Sequence, residues 1–162
     1  MIKAVKDKMY RLAKRMLFDT EEAEDAVQDV LMKLWQMRGK MKKAKNPSAY
    51  AMMTTKNYCI DKIRSKKQMY ELNENITETQ NRQPDKKLEL QDAKILIEKI
   101  IDRLPDQQKI IMHLRDIEQY EYEEIEEITS FDRNYIKVNL SRARKKVRQE
   151  LLKKYEYRYE RN

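Results

Sequence analysis

Residues 21–35 read EEAEDAVQDVLMKLW. Ala23, Ala26, Val27, Val30, Leu31, Leu34 and Trp35 recur at the three- and four-residue spacing that lines one side of an α-helix. Asp19 stands ahead of the run as an N-cap, with Glu22 three residues on in the manner of a capping box. Gly39 follows near the expected C-terminal cap. Opposite the apolar side, Asp25, Gln28, Asp29, Met32 and Gln36 form a polar, mostly acidic stripe. The whole chain carries a formal charge of +8, so this acidic helix runs against the balance of the molecule.

The pattern continues outward in both directions. Val5, Met9, Leu12, Ala13 and Met16 give a basic amphipathic helix over 3–18. RGKMKKAKN, beginning at Arg38, reads as a cationic loop, and Asn46–Pro47 opens a helix that runs to about Lys67, with proline at its first position. Residues 68–87 lose periodicity and gain Asn, Thr and Gln, so they read as a flexible linker. Beyond it Ala93, Leu96, Ile97, Ile100, Ile101 and Leu104 mark a helix ended by Pro105. Ile110, Ile111, Leu114 and Ile117 mark a second, and Tyr122, Ile125 and Ile128 a short acidic third. Thr129 to Asp132 then form a turn before a basic helix with Tyr135 or Ile136, Leu140, Ala143, Val147 and Leu151 inward. With one Gly and three Pro in 162 residues, the fold class is all-α, two small helical domains at 1–67 and 88–162.

Charge is blocked rather than mixed. Residues 38–67 hold ten Lys/Arg against the single Asp61, and residues 137–154 hold eight against the single Glu150. The acidic blocks 19–29 and 116–127 contain no basic residue. Two separated basic blocks suggest two points of contact with a polyanion. Cys59 is the only cysteine and His113 the only histidine, which leaves no metal-spaced cluster. His113 reads as a plain surface or boundary residue, and the ten methionines mostly as core filling. Without a glycine-rich phosphate loop or nucleophile–base pair, no catalytic residue, cofactor or metal is expected, and the chain does not read as an enzyme. No run of 18 apolar residues or apolar leader occurs, so membrane insertion is not expected and the cytoplasm is the default.

A short helix, a tight turn and a longer basic helix outline a helix-turn-helix. In DRNYIKVNLSRARKKVR, Asp132 caps the last helix, and Arg133, Asn134, Lys137, Val138, Ser141, Arg142 and Lys145 face outward. Asn, Ser and Arg suit base edges, whereas Lys mainly neutralises phosphate.

At this point the residues resemble bacterial RNA polymerase sigma factors of the extracytoplasmic-function type. EEAEDAVQDVLMKLW followed by AYAMMTTKNYCIDKIRSKK is similar to the family's second conserved region, and RLPDQQKIIMHLRDIEQYEYEEI followed by YIKVNLSRARKKVRQEL to its fourth. The resemblance implies a transcription initiation factor that binds core polymerase, directs it to −10 and −35 promoter elements and assists melting. It implies −10 contacts from Asn57, Asp61 and Arg64, which share a helix face, with Lys56 beside them. In the family the preceding loop helps to trap a flipped base. Here that loop is 38–46 and Met41 is the apolar residue best placed for it, a boundary methionine filling a gap being the alternative. Asp25, Gln28, Asp29 and Met32 would grip the clamp helices of polymerase's largest subunit, the flap being the further polymerase contact. Many relatives are covered by an anti-sigma factor, so one is implied as a partner.

Four positions depart from the family pattern. Glu126 stands where the first helix of the helix-turn-helix usually has Ala, Ser130 where the turn usually has Gly, and Tyr135 where a small hydroxyl residue is common. Met41 replaces a frequent aromatic. A helix-turn-helix regulator that binds DNA without polymerase is the alternative function. Its N-terminal half should then be a sensor with a pocket, whereas residues 1–67 read as a basic, polar helical unit.

Overall fold

A computed structural model describes residues 2–72 and 93–160. Among the described residues every regular element is helical. The first unit comprises α1 (Ile2–Leu17), α2 (Thr20–Gln36), α3 (Arg38–Lys43) and α4 (Pro47–Leu72). Met9, Leu12, Ala13 and Met16 of α1 meet Ala23, Ala26, Val27, Val30 and Leu34 of α2 and Ala49, Met52, Thr55 and Cys59 of α4 in one buried core. Phe18 takes a left-handed conformation (φ 60°) and turns the chain out of α1. Asp19 then caps α2 by accepting from the Glu22 amide at 2.9 Å. Only half of the expected capping box forms there, because the Glu22 carboxylate pairs with Lys66 on α4 instead.

Several sequence expectations change in this unit. The supposed cationic loop is largely helical: α3 contains Gly39, and Met37 rather than Gly39 caps α2. Arg, Lys and Met are good helix formers, and a Cβ on Gly39 would meet nothing within 4 Å, so no left-handed turn is called for there. Trp35 is 70% exposed, not inward. It lies about 100° round from Leu34, past the edge of the buried arc, and the Arg38 guanidinium covers its ring at 4.9 Å. Asn46 caps α4 by accepting from the Ala49 amide at 3.0 Å, and Pro47 is its first residue. The helix continues to Leu72, so residues 68–72 of the expected linker are helical, while 73–87 lie outside the described residues.

The second unit comprises α5 (Ala93–Asp102), α6 (Asp106–Met112), α7 (Tyr122–Thr129) and α8 (Arg133–Glu160). Its core is aliphatic: Ile100, Ile101, Leu104, Ile110, Ile111, Leu114, Ile125, Ile128, Ile136, Leu140, Ala143 and Val147. Of the two candidates at the start of α8, Ile136 enters the core, and the exposed Tyr135 ring rests on Phe131 at 4.6 Å. Ile97 is partly exposed rather than inward. α6 runs into a wide π-helical turn, His113–Ile117, where the Glu118 amide reaches the His113 carbonyl at 3.0 Å. His113 opens that turn three residues after the buried Ile110, and so shares its inward face. It is 1% exposed, a buried group rather than a surface one.

Candidate nucleic-acid interface

The helix-turn-helix is built from α7 and α8. Glu121 and Glu124 form a reciprocal capping box at the start of α7. Ser130 closes α7 in the left-handed region (φ 61°), the conformation for which glycine is favoured. Asp132 caps α8 by accepting from the Tyr135 amide at 2.9 Å. Ile136, Leu140, Ala143 and Val147 pin the inner face of α8, and Asn139 is tied to its own helix by a 2.9 Å bond to the Tyr135 carbonyl.

Arg133, Asn134, Lys137, Val138, Ser141, Arg142 and Lys145 are all exposed on the outer face. Two of them already have partners on α7. Arg133 pairs with Glu126 at 3.0 Å and lies 3.9 Å from Glu123, and the Lys137 ammonium sits over the Tyr122 ring at 5.4 Å. Glu126, the departure from Ala, therefore turns out of the helix crossing toward the neighbouring helix. Arg144, on another side of α8, binds Asp116 at 3.0 and 2.5 Å, which staples α8 to the π-helical turn.

On the first unit, Asn57, Asp61 and Arg64 are exposed along α4, and Lys56 is half-buried. Burial lowers the Lys56 ammonium below its ordinary value. Met41, on α3, is partly buried against the core rather than standing at a loop tip. Asp25, Gln28, Asp29 and Met32 are exposed on α2, with Met32 at 64%. Asp29 has a structural duty that its spacing does not reveal, because it accepts a hydrogen bond from the Tyr58 hydroxyl of α4. That bond, and then burial, pushes the Tyr58 phenol up to about 12 and keeps it a donor. Among the described residues no helix is long and apolar enough to cross a membrane, and no group of three His, Cys, Asp or Glu could hold a metal.

The sequence reading missed the contact between the units. α4 packs against α7, and α1 reaches the π-helical turn and α5 through its arginines. Arg11 clamps Glu118 at 2.7 and 2.8 Å, Arg15 donates to His113 Nδ1 at 3.2 Å and to Asp102 at 2.8 Å, and Arg15 also pairs with Glu98. Asn46 donates to Glu124 at 2.9 Å, and the Ser48 and Tyr120 hydroxyls are bonded at 2.8 Å. The sequence signal was a lone histidine and three cations, Lys8, Arg11 and Arg15, three and four apart on one side of α1.

Comparison with known proteins agrees with both units. The sigma-70 region 2 family matches residues 1–69, and the sigma-70 region 4 family matches residues 94–147. The chain belongs to the sigma-70 family. The ECF RNA polymerase sigma factor SigW of Bacillus subtilis is 27% identical over 158 residues, spanning 90% of this chain and 84% of that protein. The sigma factor RpoE, solved in complex with the anti-sigma factor NepR from Bartonella quintana, matches with a TM-score of 0.74 at 26% identity, over 92% of each chain. The protein is thus a sigma factor of the extracytoplasmic-function type, which binds core RNA polymerase and promoter DNA and directs transcription initiation.

Proposed function

We propose the following division of labour. Residues 1–67 form the unit that docks on polymerase and reads the −10 element, 68–87 link the units, and 88–162 form the unit that reads the −35 element. Asn57, Asp61 and Arg64, with Lys56, contact the −10 strand, and α3 with Met41 flanks the flipped base. Lys137, Ser141 and Arg142 lead the −35 contacts, with Asn134, Val138 and Lys145 around them. Arg133 joins them by leaving Glu126 for phosphate. The protein acts in the cytoplasm without catalytic chemistry of its own, and an anti-sigma factor is among its partners.

The observation that carries this reading is the exposed acidic face of α2 on a chain of net charge +8. DNA repels such a face, whereas arginines of a protein partner pair with carboxylates. The natural site on polymerase is the clamp helices of its largest subunit, with the flap taking the second unit. Charge reversal tests it, but Asp29 must be spared because it holds Tyr58. Asp25→Lys with Gln28→Lys should abolish co-purification with core polymerase while leaving non-specific DNA binding by the free chain intact or stronger. Wild-type recovery of polymerase would reduce the stripe to a solvated surface.

A further inference from the structure

The seam between the units is left unused by the polymerase and promoter roles. At its centre one arginine and one histidine are packed with little access to water: Arg15 is 8% exposed and His113 1%. Arg15 Nε always carries a hydrogen, so His113 Nδ1, 3.2 Å away, is the acceptor. The single imidazole hydrogen therefore sits on Nε2. That nitrogen lies 3.3 Å from Glu118 Oε1, within ion-pair reach but not hydrogen-bonded, and is buried with no hydrogen-bond partner among the described residues.

The surroundings fix this arrangement. Asp102 and Glu98 of α5 hold the Arg15 guanidinium, so it cannot swing away from the ring. Arg11 binds both Glu118 oxygens, and Lys8 approaches the Glu118 carbonyl at 3.4 Å. From α7, Glu124 is tied to Asn46, and on the α8 side Asp116 is tied to Arg144. A second proton on His113 would point Nδ1–H at Arg15, donor against donor and cation against cation. Glu118 pulls the other way, but its oxygens are already shared with Arg11.

We propose that this seam is a latch between the two units, closed while His113 is neutral and released when His113 gains its second proton. Burial above all, aided by the Arg15 charge and opposed by Glu118, holds the imidazole below its ordinary 6.5. The closed form is thus fully favoured above that ordinary value and loses ground as the pH falls below it, by at most about tenfold in the open-to-closed ratio per pH unit. Its consequence for promoter binding rests on the role proposed above. The −10 and −35 elements lie about 25 base pairs apart, on the order of 80 Å at ~3.4 Å per pair. A compact chain of this length has a radius of gyration of only about 15 Å. The closed form cannot reach both elements, so release of the seam precedes simultaneous contact.

Spin labels on Glu24→Cys and Lys146→Cys, both exposed, report the distance between units in the free full-length chain. Cys59 is fully buried and its thiol is pushed up to about 12, so labelling is confined to the introduced sites. Between about pH 8 and about pH 5.5, across the ordinary histidine range, a long-distance population should grow in the wild type while circular dichroism stays constant. His113→Gln retains an acceptor for Arg15 and cannot charge, so it should stay closed throughout. Arg15→Leu removes the opposing cation but not the burial, so the change in distance between the two ends of the range should be smaller than in wild type. A wild-type distance that does not move, opening of His113→Gln in parallel with wild type, loss of helix in place of opening, or an undiminished pH response in Arg15→Leu would each overturn the latch. No polymerase is present, so such a failure leaves the polymerase-docking reading standing, and failure of that reading leaves the latch standing.

Discussion

Ile128 and Leu140 are buried in a largely aliphatic core, whereas the buried His113 meets the charged groups Arg15 and Glu118, the latter gripped by Arg11. Both regions bury side chains, yet they differ in what they gain by staying buried. Apolar surface has only water as its alternative, and exposing it is unfavourable wherever it goes. Charged groups regain full hydration when they separate, which offsets most of what their pairing contributes. An apolar core therefore breaks by unfolding, and a polar seam of this kind breaks by opening. The same chain carries one boundary built to persist and one able to separate.

The largest effect should come from the core. Leu140→Ala leaves a cavity on the inner face of α8 and should cost about 2–5 kcal/mol of stability. A denaturant midpoint that falls together with −35 binding, while helix content of the first unit survives, is the expected result. Next comes the outer face of the same helix. Arg142→Ala touches neither core nor seam, and should cost about 1–3 kcal/mol of specific promoter binding if it reaches a base edge. Unchanged promoter preference with a shallower salt dependence would demote it to a phosphate contact.

The seam should respond less, and in a different coordinate. Burial pushes the Glu118 carboxyl up, but the two hydrogen bonds and the charge of Arg11, with His113 close by, outweigh it and hold it at about 2. Its folded value is below the ordinary 4.5, so its contribution is complete above 4.5 and is lost as the pH falls toward 2. Arg11→Ala should shrink that contribution by about 1 kcal/mol at most, since Arg11 itself is half exposed. Label distances should lengthen at neutral pH with the denaturant midpoint of each unit unmoved, and a matching loss of helix would erase the contrast with Leu140→Ala. The smallest change should be Ser130→Gly, which relieves a left-handed serine and should stabilise the second unit by under about 1 kcal/mol, read as a slightly higher thermal midpoint.

Much of the fold was legible because helical burial repeats every three to four residues. Met9, Leu12, Val27, Val30, Ile125 and Leu140 could all be placed inward from spacing alone. The outer face of α8 followed from the inner one, since residues that do not face the core face solvent or DNA. Spacing failed where position within an arc mattered, as at Trp35, and a lone polar residue three positions after Ile110 gave no sign that it is buried, as at His113. It also missed the second duty of Asp29, because the Tyr58 hydroxyl that it receives lies on another helix.

The sequence by itself determined an all-helical chain, the four helices of each unit apart from the short α3, the basic faces and the acidic stripe. These are local or periodic properties, set by neighbours within one or two helical turns. Only the tertiary structure decided that Arg11 and Arg15 meet Glu118 and His113 about a hundred residues away. Polar side chains carry no periodic mark of the partner they will find, because a hydrogen bond is specified by direction and distance in space rather than by position along the chain.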